Sequence, residues 1–108
     1  MTFQEMFSQV QAHLADADVS NIQDHLAYQF HIIGEAEGVF YAEVKDGQLH
    51  VEPYSYDDRD VEFTCTADTL FKLAGRKLDP ILAVTLGKLK VEGDVPKALK
   101  LREILASR

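Results

Sequence analysis

Apolar and polar residues alternate in four segments of this chain, and a period of two predicts β-strands. The segments are residues 26–33, 39–45, 48–53 and 61–66. Asp46-Gly47 joins the middle two and favours a two-residue hairpin, because both central positions of a type I′ turn need positive φ. Each strand has one apolar face and one more polar face. We therefore predict an antiparallel meander that helices cover on one side.

Amphipathic helices are predicted at both ends of the chain. Residues 2–15 carry apolar side chains at helical spacing, and Thr2 followed by Glu5 fits a capping box at the start of this helix. Asp94 caps a final helix that has Pro96 in its first turn, where the missing N–H costs nothing. We expect the stripes to pack on the sheet, while a partner-binding role stays open for the first helix.

The segment 68–93 is mostly aliphatic and contains two short helices and a strand. Thr66 or Asp68 caps the first helix, which Gly75 ends at the C′ position. Asp79 caps the second helix, residues 80–86, which is apolar around most of its circumference and stops at Gly87. Residues 88–92 alternate and predict a fifth strand. The second helix is buried all round or lines a cavity, and periodicity does not separate these two cases.

The charge balance excludes several classes of partner. The net charge of −7 argues against binding of a nucleic-acid backbone, and no apolar run is long enough to span a bilayer. Nine of the eleven Lys and Arg residues lie from Lys72 onward, so the C-terminal third has a mildly basic face. Cys65 is the only cysteine, and the N-terminus lacks a signal-peptide pattern. Both features indicate a cytoplasmic protein.

No catalytic or metal-binding constellation is visible in the sequence. The four histidines lack the spacing of zinc ligands. The acidic run 57–60 lacks the ligand spacing of a calcium loop, and we interpret it as a solvated loop. Cys65 falls on the apolar side of a strand and is interpreted as inert core. We therefore expect no enzyme activity, no cofactor and no metal site.

Three motifs follow one another from residue 68 onward. They are an Asp68-initiated helix with Leu70, Phe71 and Leu73, the turn Gly-Arg-Lys-Leu-Asp-Pro at 75–80, and Gly-Lys-Leu-Lys-Val-Glu-Gly-Asp at 87–94. Together with the preceding helix and strands, this order resembles the sterol carrier protein-2 family, also called the non-specific lipid-transfer or sterol-binding domain. The resemblance covers nearly the whole chain. Its motifs are a packing signature and not a set of catalytic residues.

The resemblance implies an α+β fold in which helices cover one face of a five-stranded, mainly antiparallel sheet. It also implies an apolar tunnel between the two layers, which takes fatty acyl chains, sterols or isoprenoid lipids. We expect residues 1–108 to form a single lipid-binding domain of this kind. The implied function is that of a small intracellular carrier that shields an apolar molecule from water and transfers it without a covalent step.

The lining of this tunnel is predicted from the apolar face of the strands and the apolar stripe of the helices. The predicted residues are Phe30, Ile32, Phe40, Phe63, Leu70, Leu73, Ile81, Val84, Leu86, Leu101 and Leu105. A polar headgroup would sit at a mouth near Lys77, Lys88 or Lys90. Family members often extend past the last helix, so we expect one end of the tunnel to be open unless the last turn, residues 104–108, seals it.

Two other functions fit the same pattern. An accessory protein would hold a lipid precursor for a biosynthetic enzyme, as lipid-binding domains of this family do in quinone biosynthesis. A ligand-free module would instead use the apolar surface as a homodimer interface. Stable association with pathway enzymes in a pull-down would indicate the accessory protein. A dimeric mass by light scattering, together with a dry and filled interior, would indicate the module.

Overall fold

The computed structural model describes residues 1–107, and four helices and five strands lie in that range. In chain order they are α1 (Phe3–Leu14), β1 (Leu26–Ile33), β2 (Gly38–Lys45), β3 (Gln48–Glu52), β4 (Val61–Thr66), α2 (Ala67–Ala74), α3 (Pro80–Thr85), β5 (Lys90–Gly93) and α4 (Val95–Ala106). Each predicted element is present. The fifth strand begins two residues later than the alternation predicted.

The strands form one sheet in the order β3-β2-β1-β4-β5. Three neighbouring pairs are antiparallel, whereas β4 lies parallel to β1 with Phe63 opposite Phe30. The prediction of a five-stranded, mainly antiparallel sheet is confirmed, but the simple meander is wrong. The connection 53–60 carries the chain past β2 and β1, and alternation along a strand does not determine which neighbour that strand pairs with.

Side-chain caps fix where the helices begin. Thr2 Oγ1 accepts a hydrogen bond from the Glu5 N–H, and Glu5 Oε1 accepts one from the Thr2 N–H, so the predicted capping box is confirmed. Asp79 and Asp94 cap α3 and α4 as predicted. Of the two candidate caps for α2, Thr66 is the one that the structure uses.

The end of α2 differs from the prediction. Gly75 is the C-cap with φ of −83°, and the left-handed conformation falls on Arg76, which has φ of 61°. The prediction that Gly75 occupies the C′ position is therefore wrong by one residue. Two backbone bonds from Lys77 and Leu78 to the Lys72 carbonyl close the turn around Arg76, and this closure stabilises a conformation that a non-glycine residue rarely adopts.

Asp60 joins β1 to α4. Its carboxylate accepts a hydrogen bond from the Ala27 N–H at 2.9 Å and pairs with the Lys97 ammonium at 3.1 Å. Its carbonyl accepts from the Asp94 N–H at 2.9 Å. Residues 57–59 are exposed as predicted, but the interpretation of 57–60 as solvated is wrong for Asp60. The parallel pairing of β4 with β1 brings Asp60 against the backbone of β1.

Aromatic rings fill the space between the sheet and the helices. Phe30 stacks on Phe40 of β2 with 4.9 Å between ring centroids, and on Phe63 of β4 with 5.1 Å. Phe7 of α1 meets Phe40 edge-on at 5.5 Å. All four rings are buried, and such pairs contribute about 0.5–1.5 kcal/mol each beyond their burial. The stack therefore holds α1 and the three central strands together.

Gly93 provides a test of the junction between β5 and α4. It has φ of +119°, and a Cβ at this position would lie 2.3 Å from the carbonyl oxygen of Asp60. We expect Gly93→Ala to lower the free energy of unfolding by at least about 3 kcal/mol, because strained backbone and a clash with fixed backbone add together. Urea unfolding followed by far-UV circular dichroism measures this change.

Gly87 is the matched control for that substitution. It has φ of +75°, but a Cβ there would meet no atom within 4 Å. Gly87→Ala should therefore cost only the backbone strain, about 1–2 kcal/mol. Equal losses for the two variants would contradict the role assigned to the contact between Gly93 and Asp60.

Candidate binding groove

Between the sheet and the helices, the described residues leave a small cavity of about 30 Å³, here called the interlayer cavity. Its lining is wholly apolar and comprises Val10, Leu14, Phe30, Phe40, Ala42, Leu49, Leu70, Leu73, Ala74, Leu101, Ile104 and Leu105. A volume of this size holds about one water molecule. The stacked rings of Phe30 and Phe40 occupy the place where the sequence predicts a tunnel, so an open tunnel stays a prediction.

A larger apolar volume of about 360 Å³ opens to solvent between α3, β5 and α4. We call it the α3–α4 groove, and its lining comprises Phe63, Pro80, Ile81, Val84, Thr85, Leu89, Val91, Val95, Ala98, Leu99 and Arg102. Phe63 and Leu89 are buried, whereas Ile81, Val84, Val95 and Leu99 are about half exposed. The groove therefore has apolar walls that the folded chain itself leaves uncovered.

The exposure of α3 follows from its length and its ends. Asp79 begins this helix and Gly87 follows its last turn, so it has only six residues and Ala83 alone is fully buried. Because six residues make fewer than two turns, the helix rests on the protein along one side only. The sequence predicts that α3 is buried all round or lines a cavity, and the structure places it along the groove.

A third volume of about 200 Å³ lies between the groove and the interlayer cavity. Its lining includes Leu73 and Leu105, which also line the interlayer cavity, and Pro80 and Arg102, which also line the groove. The three volumes are therefore neighbours. Leu73 and Leu105 form the wall between the outer space and the interlayer cavity.

The residues predicted to line one tunnel are divided between these spaces. Six of them line the interlayer cavity, namely Phe30, Phe40, Leu70, Leu73, Leu101 and Leu105. Three line the α3–α4 groove, namely Phe63, Ile81 and Val84. Ile32 is fully buried and Leu86 is exposed, and neither lines either space. Ile104 of the last turn also lines the interlayer cavity, while Arg108 lies outside the described residues.

The charged group at the groove is Arg102, which the sequence prediction missed. None of Lys77, Lys88 and Lys90 lies in the lining, and Lys90 pairs with Glu92 at 3.1 Å. Arg102 belongs to the same helical stripe as Ala98 and Leu99, four and three residues before it. That spacing is visible in the sequence, and it would have identified Arg102 once the stripe was assigned to the groove.

A cluster of titratable groups lies on the other face of the sheet, where Glu43 contacts two partners. Its Oε2 is 2.6 Å from His25 Nε2 and accepts the Tyr56 hydroxyl at 2.8 Å. The hydrogen bond from His25 holds the pKa of Glu43 below its ordinary value of 4.5, and the bond to Glu43 raises the pKa of Tyr56 to about 12. Tyr56 therefore stays protonated, and the cluster fastens the loop 53–60 to β2.

Two further observations concern the thiol and the possible metal ligands in residues 1–107. Burial raises the pKa of the Cys65 thiol to about 12, so the nucleophilic thiolate is absent at neutral pH. No group of three His, Cys, Asp or Glu side chains in the described range is arranged to hold a metal ion. Across the same range, every helix is too short or too polar to cross a membrane.

The architecture is that of a sterol carrier protein. The structure of sterol carrier protein-2 from Aedes aegypti, in complex with the C16 fatty acid palmitate, superposes with a TM-score of 0.65 and 24% identity, covering 99% of this chain and 96% of that one. A sec-alkylsulfatase, Pisa1 from Pseudomonas sp., superposes with a TM-score of 0.75 and 19% identity over 89% of this chain, but over only 15% of its own.

The sequence comparison agrees with the fold. The model of the SCP-2 sterol transfer family matches residues 3–106, and the chain belongs to this family. Among curated proteins, hydroxysteroid dehydrogenase-like protein 2 from Mus musculus is 33% identical over 105 residues. That match covers 94% of this chain and 21% of the relative, so the chain spans about a fifth of the length of the protein that it resembles.

The cluster around Glu43 predicts an acid-dependent loss of stability. Because the pKa of Glu43 is lower in the folded chain than in the unfolded chain, its contribution is present above about pH 4.5 and is lost as the pH falls through the folded value. We expect the wild type to lose more free energy of unfolding between about pH 7 and about pH 3.5 than Glu43→Gln does. Urea unfolding at both pH values measures the difference.

Glu37→Gln is the matched control, since Glu37 has no ion pair or side-chain hydrogen bond among the described residues. It should keep the pH dependence of the wild type. A Glu43→Gln variant with the same loss as the wild type would show that Glu43 has no part in the acid response.

Proposed function

We propose that this chain binds a single-chain lipid non-covalently in the α3–α4 groove and carries it in a form shielded from water. The observation that carries the proposal is the pair of uncovered apolar walls, with Ile81 and Val84 on one side and Val95 and Leu99 on the other. The volume of about 360 Å³ falls within the ordinary range of ligand pockets, and the lining is predominantly apolar as in such pockets.

The hydrophobic effect provides the driving force for this binding. Each Å² of apolar surface removed from water stabilises the complex by about 25 cal/mol, and a ligand in the groove covers surface on both walls and on itself. The walls are already formed, so little ordering is needed before the ligand binds. Membership in the SCP-2 sterol transfer family also supports lipid binding by this chain. The structure of sterol carrier protein-2 from Aedes aegypti contains palmitate.

The predicted tunnel enters this proposal as a second stage of binding. Leu73 and Leu105 are the side chains that separate the outer space from the interlayer cavity. If these two side chains change rotamer, the end of an alkyl chain can pass between the layers. The tunnel would then form as the lipid enters.

A second role is favoured by the length of the relatives. The chain matches about a fifth of hydroxysteroid dehydrogenase-like protein 2 and superposes on 15% of the sec-alkylsulfatase chain. Regions similar in sequence or in fold to this chain thus form part of longer proteins whose names indicate enzymes. We propose, as the second candidate, that this chain presents its lipid to an enzyme. Co-purification with an enzyme in a pull-down would support this role.

We propose the cytoplasm as the compartment of this protein, which the single cysteine supports.

The binding site is tested by placing a charge in the groove. Val84→Glu puts a carboxylate on the groove wall. Because this position is half exposed, folding should be retained. An apolar ligand in the groove would displace water from the carboxylate, and that loss of hydration weakens binding. We expect the affinity for palmitate to fall by about tenfold or more. Isothermal titration calorimetry measures the affinity, and native mass spectrometry of the purified wild type identifies any co-purifying lipid.

Leu82→Glu is the matched control for this substitution. Leu82 lies on the same helix with similar exposure, but it is absent from the groove lining. It should bind palmitate like the wild type. Failure of the wild type to bind palmitate or any extracted lipid would overturn the proposal, and a dimeric mass by light scattering would then favour the homodimer interface.

A further inference from the structure

We infer that Arg102 recognises the negatively charged end of the ligand, so that the α3–α4 groove selects lipids that end in a carboxylate over neutral lipids of the same length. This inference rests on the proposed function and specifies the class of ligand. It follows from the polar groups of the groove and from the way in which Asp79 holds Arg102.

Arg102 is the charged side chain of the groove lining, and one other polar side chain, Thr85, lines the groove with it. The Thr85 hydroxyl already donates to the Ile81 carbonyl at 3.1 Å within α3. A polar ligand atom in the groove therefore meets the donors of Arg102 before any other side-chain donor. Because the walls are apolar, the position of this single cation determines where a charged end of the ligand lies.

The guanidinium of Arg102 is only partly used within the protein. Its Nε forms an ion pair with Asp79 Oδ1 at 2.8 Å, and its side chain is 62% exposed. Within residues 1–107, the structure gives its two terminal nitrogens no hydrogen-bond partner. A guanidinium has five N–H donors in a planar fork that matches a carboxylate, so two parallel donors remain for a ligand.

Asp79 holds the guanidinium at the groove but does not neutralise it completely. Its Oδ2 accepts from the N–H groups of Ile81 and Leu82 at 3.0 and 3.2 Å as the cap of α3. The carboxylate therefore shares its charge between the helix start and Arg102. It keeps the Nε end of Arg102 in place, and it also repels an incoming carboxylate, so it limits the affinity for the ligand.

The charge of the whole chain makes this arrangement distinctive. The net charge is −7, and the long-range field therefore disfavours an anionic ligand. A cation on the wall of an apolar groove offsets that field locally. Neutral lipids such as alcohols gain less from Arg102, since a hydroxyl accepts single N–H bonds but carries no charge for the two-pronged fork to bind.

The test compares decanoate with 1-decanol, which have the same alkyl chain, by isothermal titration calorimetry on the full chain. Arg102→Met keeps the apolar stem and removes the charge. We expect its affinity for decanoate to be about fivefold lower than that of the wild type, and its affinity for 1-decanol to be unchanged. Lys100→Met is the matched control, because Lys100 is on α4 but outside the groove lining and should leave both affinities unchanged.

Asp79→Asn provides a second and independent measurement. Asparagine still caps a helix, so α3 should be retained, while the competing charge beside Arg102 is removed. We expect tighter binding of decanoate and unchanged binding of 1-decanol. Circular dichroism confirms that each variant is folded.

The outcomes separate this inference from the proposed function. If the wild type binds both ligands and Arg102→Met weakens neither, or weakens both equally, the role of Arg102 is overturned and the lipid site stands. If the wild type binds neither ligand, the proposed function fails and the inference fails with it. Stronger binding of 1-decanol than of decanoate by the wild type would also overturn the inference.

Discussion

The stacking of Phe30 between Phe40 and Phe63 is the contact on which the rest of the structure depends. It joins an antiparallel neighbour and a parallel neighbour across one strand, with centroid separations of 4.9 and 5.1 Å. Phe7 extends the stack to α1. Because these rings fill the space between the layers, the cavity that the described residues leave there has a volume of about 30 Å³. The larger apolar space, the α3–α4 groove, therefore lies at the edge of the fold.

The apolar space at that edge is open because α3 has only six residues and packs on the protein along one side. Asp79 and Gly87 bound α3, and only Ala83 of its six residues is fully buried. The exposed side chains of α3 face those of α4 across the groove, and within residues 1–107 these walls stay uncovered. Apolar surface of this extent remains exposed at a cost in free energy, and it is typical of a site that a ligand or a partner covers. Leu73 and Leu105 line both the space at this edge and the interlayer cavity, so their side chains separate the two.

Polar side chains hold the parts that apolar packing leaves free. Asp60 ties β1 to α4, Glu43 ties the loop 53–60 to β2 through Tyr56, and Asp79 ties the start of α3 to Arg102. The sequence prediction assigned none of these roles, apart from the cap at Asp79. Each role joins residues far apart in the chain, and the local patterns that reveal strands, turns and caps contain no information on such contacts. The same reason explains why the sequence did not assign the stripe that carries Arg102 to the groove.

Local chemistry in the sequence determined the helices, the strands, the capping box at Thr2 and the turn at Asp46-Gly47, because each depends on residues only a few positions apart. The order of the motifs from Asp68 onward indicated the family, and residues 3–106 match it. Tertiary structure alone decided the parallel pairing of β4 with β1 and the division of the predicted lining between a closed cavity and an open groove. Both depend on how distant aromatic and aliphatic side chains fill one space, and periodicity identifies the buried face without specifying what that face packs against.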